Sequence, residues 1–257
     1  QGHAVAATSR KKQSLIEAVG EESENFLPLQ MDVVNESNVL EGIQQVLRHF
    51  SRIDVVVNNA GYGLVGSLEE LSDEEVRADF DVNVFGALNV IRTVMPHLRK
   101  QRSGHVFNIS SIGGFSGDFA GWGIYCATKF AMTGFTEAFA QEGKDFNVKV
   151  TLVLPGYFRT NFLSPGSLVV PANPIAAYEE VRKSQDFHQN TMDNQQPGDP
   201  DKAAETMVAI ADEKNPPLYL FLGSDAYEMA HLKIEKLQNE LEAWKEETLS
   251  TDFAVKV

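Results

Sequence analysis

The chain has 257 residues, 43% of them hydrophobic, enough for one domain (residues 1–257) with a sizeable core. Its formal net charge is −14 and it carries no basic run, which argues against a nucleic-acid partner, since affinity there rests on clustered Lys and Arg. No apolar stretch approaches the ~20 residues that cross a bilayer, and the single Cys126 rules out an internal disulfide, in keeping with a cytoplasmic setting.

Short β-rich runs alternate with longer helical patterns. In chain order, strands are predicted over 3–7 (HAVAA), 26–32, 54–59 (DVVVNN), 105–110 (HVFNIS), 148–155 and 218–223. Most are nearly continuous in apolar residues, as strands buried on both faces of a parallel sheet are. Amphipathic helices are predicted over 36–50, 73–100, 125–146 and 200–214. Such alternation implies an α/β, Rossmann-like doubly wound parallel sheet in three αβα layers. Residues 158–199 show no period and leave the carboxyl end of a strand, where open α/β sheets bind ligands; they are read as a substrate-binding loop or lid. Residues 226–249 place Ala230, Ile234, Leu237, Leu241 and Trp244 on one stripe, as in a C-terminal helix docked on its own domain.

Two negative readings narrow the chemistry. The six His residues (His3, His49, His97, His105, His188, His231) are scattered and lack metal-ligand spacing, so no metal site is expected. GYGLVG (61–66) matches G-x-G-x-x-G after a strand, but SLEELSDEE follows it, and those carboxylates would repel a diphosphate. Its glycines are expected instead to allow a tight backbone beside a ligand.

YCATK (125–129) sets a phenol and an ammonium one helical turn apart on a shared face. A free phenol titrates near 10 and is a poor base at neutral pH; bringing it to neutrality takes about 4 kcal/mol of differential stabilisation. The Lys129 charge on a partly desolvated face, helped by a cofactor's positive charge, is expected to lower the pKa of Tyr125 and fit it for proton transfer with a carbonyl or alcohol. By itself Y-x-x-x-K is common and often a solvated face. Here, however, Ser110 and Ser111 end one strand, NNAG (58–61) another and PGYFRT (155–160) a third, while Asn83 lies in a helical pattern. Strand ends converging with a Tyr/Lys helix make a pocket with several polar groups.

With NNAG, Asn83, ISS, YCATK and PGYFRT in this order and at these intervals, the chain resembles the short-chain dehydrogenase/reductase family, its hydroxysteroid and retinol dehydrogenase branch in particular. The resemblance implies that Tyr125 is the general acid/base and that Lys129 lowers its pKa and holds the nicotinamide ribose. It implies that Ser111 binds the substrate oxygen and that Asn83 anchors a proton relay, although Ser111 lies one residue further from Tyr125 than is common and Ser110 stands beside it. Asn59, Ala60 and Gly61 would pass the adenosine ribose, Asp32 the adenine, and Pro155, Gly156 and Thr160 the nicotinamide.

The family opens with a strand, a T-G-x-x-x-G-x-G turn and a helix, and none of these is present; the expectation is that the first strand and helix are missing and that the protein is longer. The strand at 3–7 ends in ATSRKK, with Ser9 and Arg10 where enzymes that use NAD place an acid. Arg can pair with a 2′-phosphate, so NADP is expected over NAD. The function implied is an NADP-dependent oxidoreductase interconverting an alcohol with a ketone or aldehyde, on a small apolar substrate, as a homodimer or homotetramer. Phe115, Trp122, Phe158, Phe162 and Leu163 are the residues expected to line its pocket. A non-catalytic NADP-binding or scaffold protein on the same fold is the alternative.

Overall fold

The Val-, Leu- and Phe-rich runs form parallel strands in the computed structural model, which describes residues 2–253. β1 (Val5–Ser9) pairs with β2 (Phe26–Gln30), Val5 opposite Phe26. A four-stranded sheet runs in the order β3 (Val55–Asn58), β5 (Gly104–Ile109), β6 (Val148–Pro155), β8 (Tyr219–Leu222). β4 (Gly63–Leu64) and β7 (Leu168–Val169) form a separate parallel pair.

Neighbouring side chains on a strand point to opposite faces, and β5 shows what covers each. Val106 enters a core with Val39, Ile43 and Val46 of α2 (Glu36–Phe50), Val90, Val94 and Leu98 of α4 (Ala87–Gln101) and Phe139 of α5 (Gly123–Gly143). Phe107 packs on the other side with Val153, Leu222 and, from α7 (Pro200–Asp212), Ala203, Met207 and Ile210. Helix, sheet and helix thus form the three layers expected of the doubly wound class. On the α7 side β3 is bare: Val55 and Val57 are 44% and 47% exposed. Among the described residues β1 is not hydrogen-bonded to β3.

Local signals explain where the helices begin. The Asn35 side chain caps α2 by accepting from Asn38 N at 3.0 Å. Ser72 and Glu75 form a reciprocal capping box on α3 (Asp73–Phe80), and Asp199 followed by Pro200 starts α7.

Four elements differ from their predicted form. The helix expected over 73–100 is α3, a π-helical turn over Asp81–Gly86, and α4. The segment after β1 forms α1 (Lys12–Val19), too short and weakly apolar to register as a period. The aperiodic 158–199 segment holds β7, α6 (Glu179–Asp186) and a second π turn, Phe187–Met192. The C-terminal pattern forms α8 (Ser224–Ala243) and α9 (Lys245–Leu249). Only the first turns of α8 dock: Ala226 and Ala230 are buried beside Ile112, whereas Ile234, Leu237, Leu241 and Trp244 continue the stripe exposed. Among the described residues no helix is long and apolar enough to cross a membrane.

Candidate active site

A buried polar ladder ties the sheet to α5. Asn58 Nδ2 donates to Asn108 Oδ1 at 2.8 Å, and Asn108 Nδ2 donates to Thr136 Oγ1 at 2.9 Å. Such a ladder fixes strand ends against a helix because breaking one link leaves buried amides unpaired. At the carboxyl end of β5, Ser110 Oγ donates to Lys129 O at 3.1 Å and is buried. Ser110 therefore serves as a strut to α5. Ser111 sits beside Tyr125: its Oγ accepts from Gly113 N at 3.0 Å, and a Cβ on Gly113 would lie 3.4 Å from Ser111 Oγ and 3.6 Å from Tyr125 Cε1. Both serines touch the cavity, but Ser110 is tied back to α5 and Ser111 is the one beside Tyr125.

Tyr125 and Lys129 share a face of α5, as their spacing requires, and Lys129 Nζ lies 5.7 Å from the Tyr125 ring centre. Nζ also donates to Ile109 O at 2.9 Å. Both residues are buried, Tyr125 8% and Lys129 5% exposed. Here the expected electrostatics needs correcting. In the chain by itself, burial pushes the Tyr125 phenol up, opposed by the neighbouring Ser111 hydroxyl. Burial also draws Lys129 down, to about 8, opposed by the nearby Asp79 carboxylate. Desolvation penalises both charged forms and dominates both shifts.

Asn83 reaches this group because of the π turn. The extra residue per turn carries it inward, where its Nδ2 donates to Tyr62 O at 3.0 Å and its Oδ1 accepts from Tyr62 N at 3.0 Å. Gly61 sits in front of it: a Cβ there would lie 2.9 Å from Asn83 Oδ1 and 3.5 Å from Lys129 Nζ. A side chain at 61 would therefore press on Asn83, which is 0% exposed.

Tyr125, Lys129 and Ser111 line a cavity of about 1430 Å³ that extends from the site to the bare flank between β1 and β3, whereas Asn83 lies behind its wall. Asn59, Gly61, Ser111, Tyr125, Lys129, Pro155, Gly156 and Thr160 all lie on its wall. So do Trp122, Phe158, Phe162 and Leu163, but the expected Phe115 does not; it packs edge-on against Phe221 in the core. His188 and Tyr157 complete the wall without having been foreseen. Tyr157 Oη donates to His188 Nε2 at 2.9 Å, and His188 Nδ1 donates to Ser184 O at 2.6 Å. Burial lowers the His188 pKa, which keeps the ring neutral in that tautomer. His188 falls in an aperiodic stretch, so no sequence signal marked it.

The GYGLVG stretch, whose Gly61 lies on the cavity wall, also holds the 158–199 segment: Gly63 N donates to Ser167 O at 2.8 Å and Val65 N to Val169 O at 3.0 Å. The Gly63 glycine admits Leu168, Phe162 and Trp122, each 3.1 Å from where a Cβ would be. Glu70 makes the second anchor: its buried carboxylate accepts from Ser67 N at 2.7 Å, Ile175 N at 2.8 Å and the Arg182 guanidinium. Glu70→Ala orphans those donors, at about 1–3 kcal/mol. The expected result is a lower Tm with earlier proteolytic nicking within residues 170–190, read by timed digestion and mass spectrometry; an unchanged digestion pattern contradicts the anchor.

The sequence matches the family model described as short chain dehydrogenase over residues 1–167. The chain belongs to the short-chain dehydrogenase family. It is accordingly an oxidoreductase acting on CH–OH groups. An oxidoreductase designated BOA17 from Botryotinia fuckeliana is 34% identical over 97% of this chain and 90% of its own length. A short-chain dehydrogenase from Streptomyces avermitilis superimposes with a TM-score of 0.86 at 34% identity, covering 98% of this chain and 90% of that one. ElxO, solved with NADP bound, gives a TM-score of 0.69 at 26% identity, covering 88% and 89%.

Those matches do not support the expectation of a missing first strand and helix. The residues expected to bind the far end of a dinucleotide lie apart from the cavity wall. Ser9 ends β1 and accepts from Lys11 N at 3.2 Å, Arg10 is exposed next to it, and Ala60 is exposed beyond β3. Asp32 is exposed and bonded to its own loop, Oδ1 accepting from Val34 N at 3.0 Å. Among the described residues no cluster of His, Cys, Asp and Glu is placed to hold a metal ion.

Proposed function

We propose that the chain is an NADP-dependent oxidoreductase interconverting an alcohol with a ketone or aldehyde. The observation that carries this reading is Tyr125, Ser111 and Lys129 meeting on one cavity wall, with Ser111 beside Tyr125 across Gly113. When bound, a nicotinamide cofactor supplies the hydride and, oxidised, a positive charge. In reduction the Tyr125 phenol would protonate the carbonyl oxygen as alkoxide charge develops there; in oxidation its phenolate would take the hydroxyl proton. The Ser111 hydroxyl donates to the same oxygen and holds it within reach of Tyr125. Lys129, as ammonium, stabilises the phenolate after transfer and offsets the desolvation that otherwise holds the phenol protonated. Asn83 keeps the ammonium side of the site hydrogen-bonded.

Asn59, Ala60 and Gly61 would receive the adenosine ribose, where Gly61 leaves no room for a side chain. Asp32 would meet the adenine, and Pro155, Gly156 and Thr160 the nicotinamide. Trp122, Phe162 and Leu163 beside Tyr125 favour a small apolar substrate. A cytoplasmic homodimer or homotetramer is part of the proposal, with the exposed Phe85 and Phe130 as surface that a second copy would cover.

Arg10 at the end of β1 is the group proposed to pair with a 2′-phosphate, and ElxO offers a precedent for NADP in a relative of this fold. Losing a charge-assisted pair costs about 1.5–3 kcal/mol. Arg10→Asp should therefore raise KM for NADPH by roughly ten- to a hundredfold while leaving KM for NADH within about threefold. Steady-state reduction of a ketone and aldehyde panel with each cofactor decides it, and equal shifts for both cofactors would refute the NADP assignment.

A further inference from the structure

Asp79 has no part in the roles set out above, yet it is the carboxylate most tightly enclosed beside them. It lies in the last turn of α3, 0% exposed. Its Oδ1 accepts from Asn83 Nδ2 at 2.7 Å, while its Oδ2 is buried without a hydrogen-bond partner. A buried carboxylate left half-satisfied is costly unless a cation compensates it. The cation whose charge acts on it is Lys129. Asn83 stands between the two: its Nδ2 holds Asp79, and its Oδ1 faces the same point over Gly61 as Lys129 Nζ.

We propose that Asp79 is a positioning residue, the counter-charge that keeps Lys129 an ammonium and so ties the proton affinity of Tyr125 to the protonation of this buried carboxylate. This rests on reading Tyr125 and Lys129 as the proton-transfer pair. Burial raises Asp79 to about 7 and lowers Lys129 to about 8, so both change state near neutrality, and each opposes the other's shift. The remaining titratable and charged groups around it are Tyr125 on α5, Tyr62 on the loop after β3, and Asp81 on the π turn, with Arg10 acting on Tyr62. The phenol of Tyr62, raised to about 12, is neutral throughout this range. Asp81 repels a second negative charge and cannot replace the ammonium.

The sign follows directly. Above about 7 Asp79 is ionised and favours protonated Lys129; below it Asp79 is neutral and has little influence. Asp79→Asn keeps the acceptor for Asn83 and removes only the charge. Lys129 then loses its proton at lower pH, so the alkaline limb of kcat moves down. At pH 8 kcat should fall about tenfold, and at pH 6 it should stay within about twofold of the unaltered chain. Asp79→Val, which also removes the acceptor, should lower kcat at every pH.

A readout independent of turnover is the ¹³C NMR titration of the Asp79 carboxyl in the full chain. Lys129→Met removes the cation, so the carboxyl midpoint should move up. Superimposable pH profiles for Asp79→Asn and the unaltered chain overturn the proposal, and so does a carboxyl midpoint unmoved by Lys129→Met. An unaltered chain that reduces no carbonyl at any pH defeats the oxidoreductase reading of the site, and the NMR midpoint still decides the charge coupling by itself.

Discussion

Tyr125→Phe should lower kcat for carbonyl reduction by about a thousandfold or more, within the range that a positioned acid/base contributes together with its oriented hydrogen bond. The change deletes one oxygen and keeps the ring, which packs edge-on to Trp122 at 5.4 Å and tilted to Phe162 at 5.6 Å between centres. The aromatic wall therefore survives. Burial of the phenol is costly for its charged form only, so removing the hydroxyl leaves folding nearly unaffected. Ser111 is a poor substitute donor, since a serine hydroxyl has no nearby base to return its proton. Cofactor affinity, measured by NADPH fluorescence, should stay within about threefold, because a single neutral hydrogen bond is worth about 0.5–1.5 kcal/mol at most. Activity within tenfold of the unaltered chain would rule out Tyr125 as the proton donor, whatever else the cavity binds.

What could be read from the residues alone follows from how strongly each feature is encoded locally. β5 was legible because both its faces are covered, which forces apolar residues at nearly every position: Val106 faces α4 and Phe107 faces α7. The Tyr125 and Lys129 pairing was legible because helical spacing alone puts them on one face. The structure of the 158–199 segment was not. β4 and β7 are two residues each, and α6 is held by Glu70 more than a hundred residues earlier, so no local period exists to find. The π turn was hidden inside an ordinary helical pattern, though it is what turns Asn83 inward. The direction of the Tyr125 shift was misjudged for a similar reason: the attraction of Lys129 is visible in the spacing, whereas the desolvation that dominates the shift depends on Trp122, Phe162 and the rest of the enclosing wall. Choosing between Ser110 and Ser111 likewise needed the bond from Ser110 to the α5 backbone.

That bond locates the second large effect, at Gly114. A Cβ there would collide with Ser110 Oγ and would lie 2.7 Å from Lys129 O and 2.9 Å from Lys129 C, which are main-chain atoms of α5 and cannot rotate away. Thr133 Oγ1 clamps the same seam, donating to Gly114 O at 3.0 Å and Lys129 O at 3.1 Å. Gly114→Ala can be accommodated only by moving α5 outward, and α5 carries Tyr125 and Lys129 while Ser111 and Ile109 O stay with β5. The displacement needed is about 1 Å, which in a catalytic constellation costs roughly a hundredfold in kcat. Overpacking of this kind also costs about 1–3 kcal/mol, visible as a lower Tm. Gly117→Ala supplies the control from the same turn, because its nearest neighbour, Phe130 Cε2, is at an ordinary 3.7 Å and little change is expected. Adding Ser110→Ala to Gly114→Ala removes the hydroxyl clash but leaves the two backbone contacts, so activity should not return. Full rescue by that double variant would mean that the hydroxyl alone set the spacing, and wild-type kcat in Gly114→Ala would mean that α5 does not register the catalytic pair against Ser111 at all.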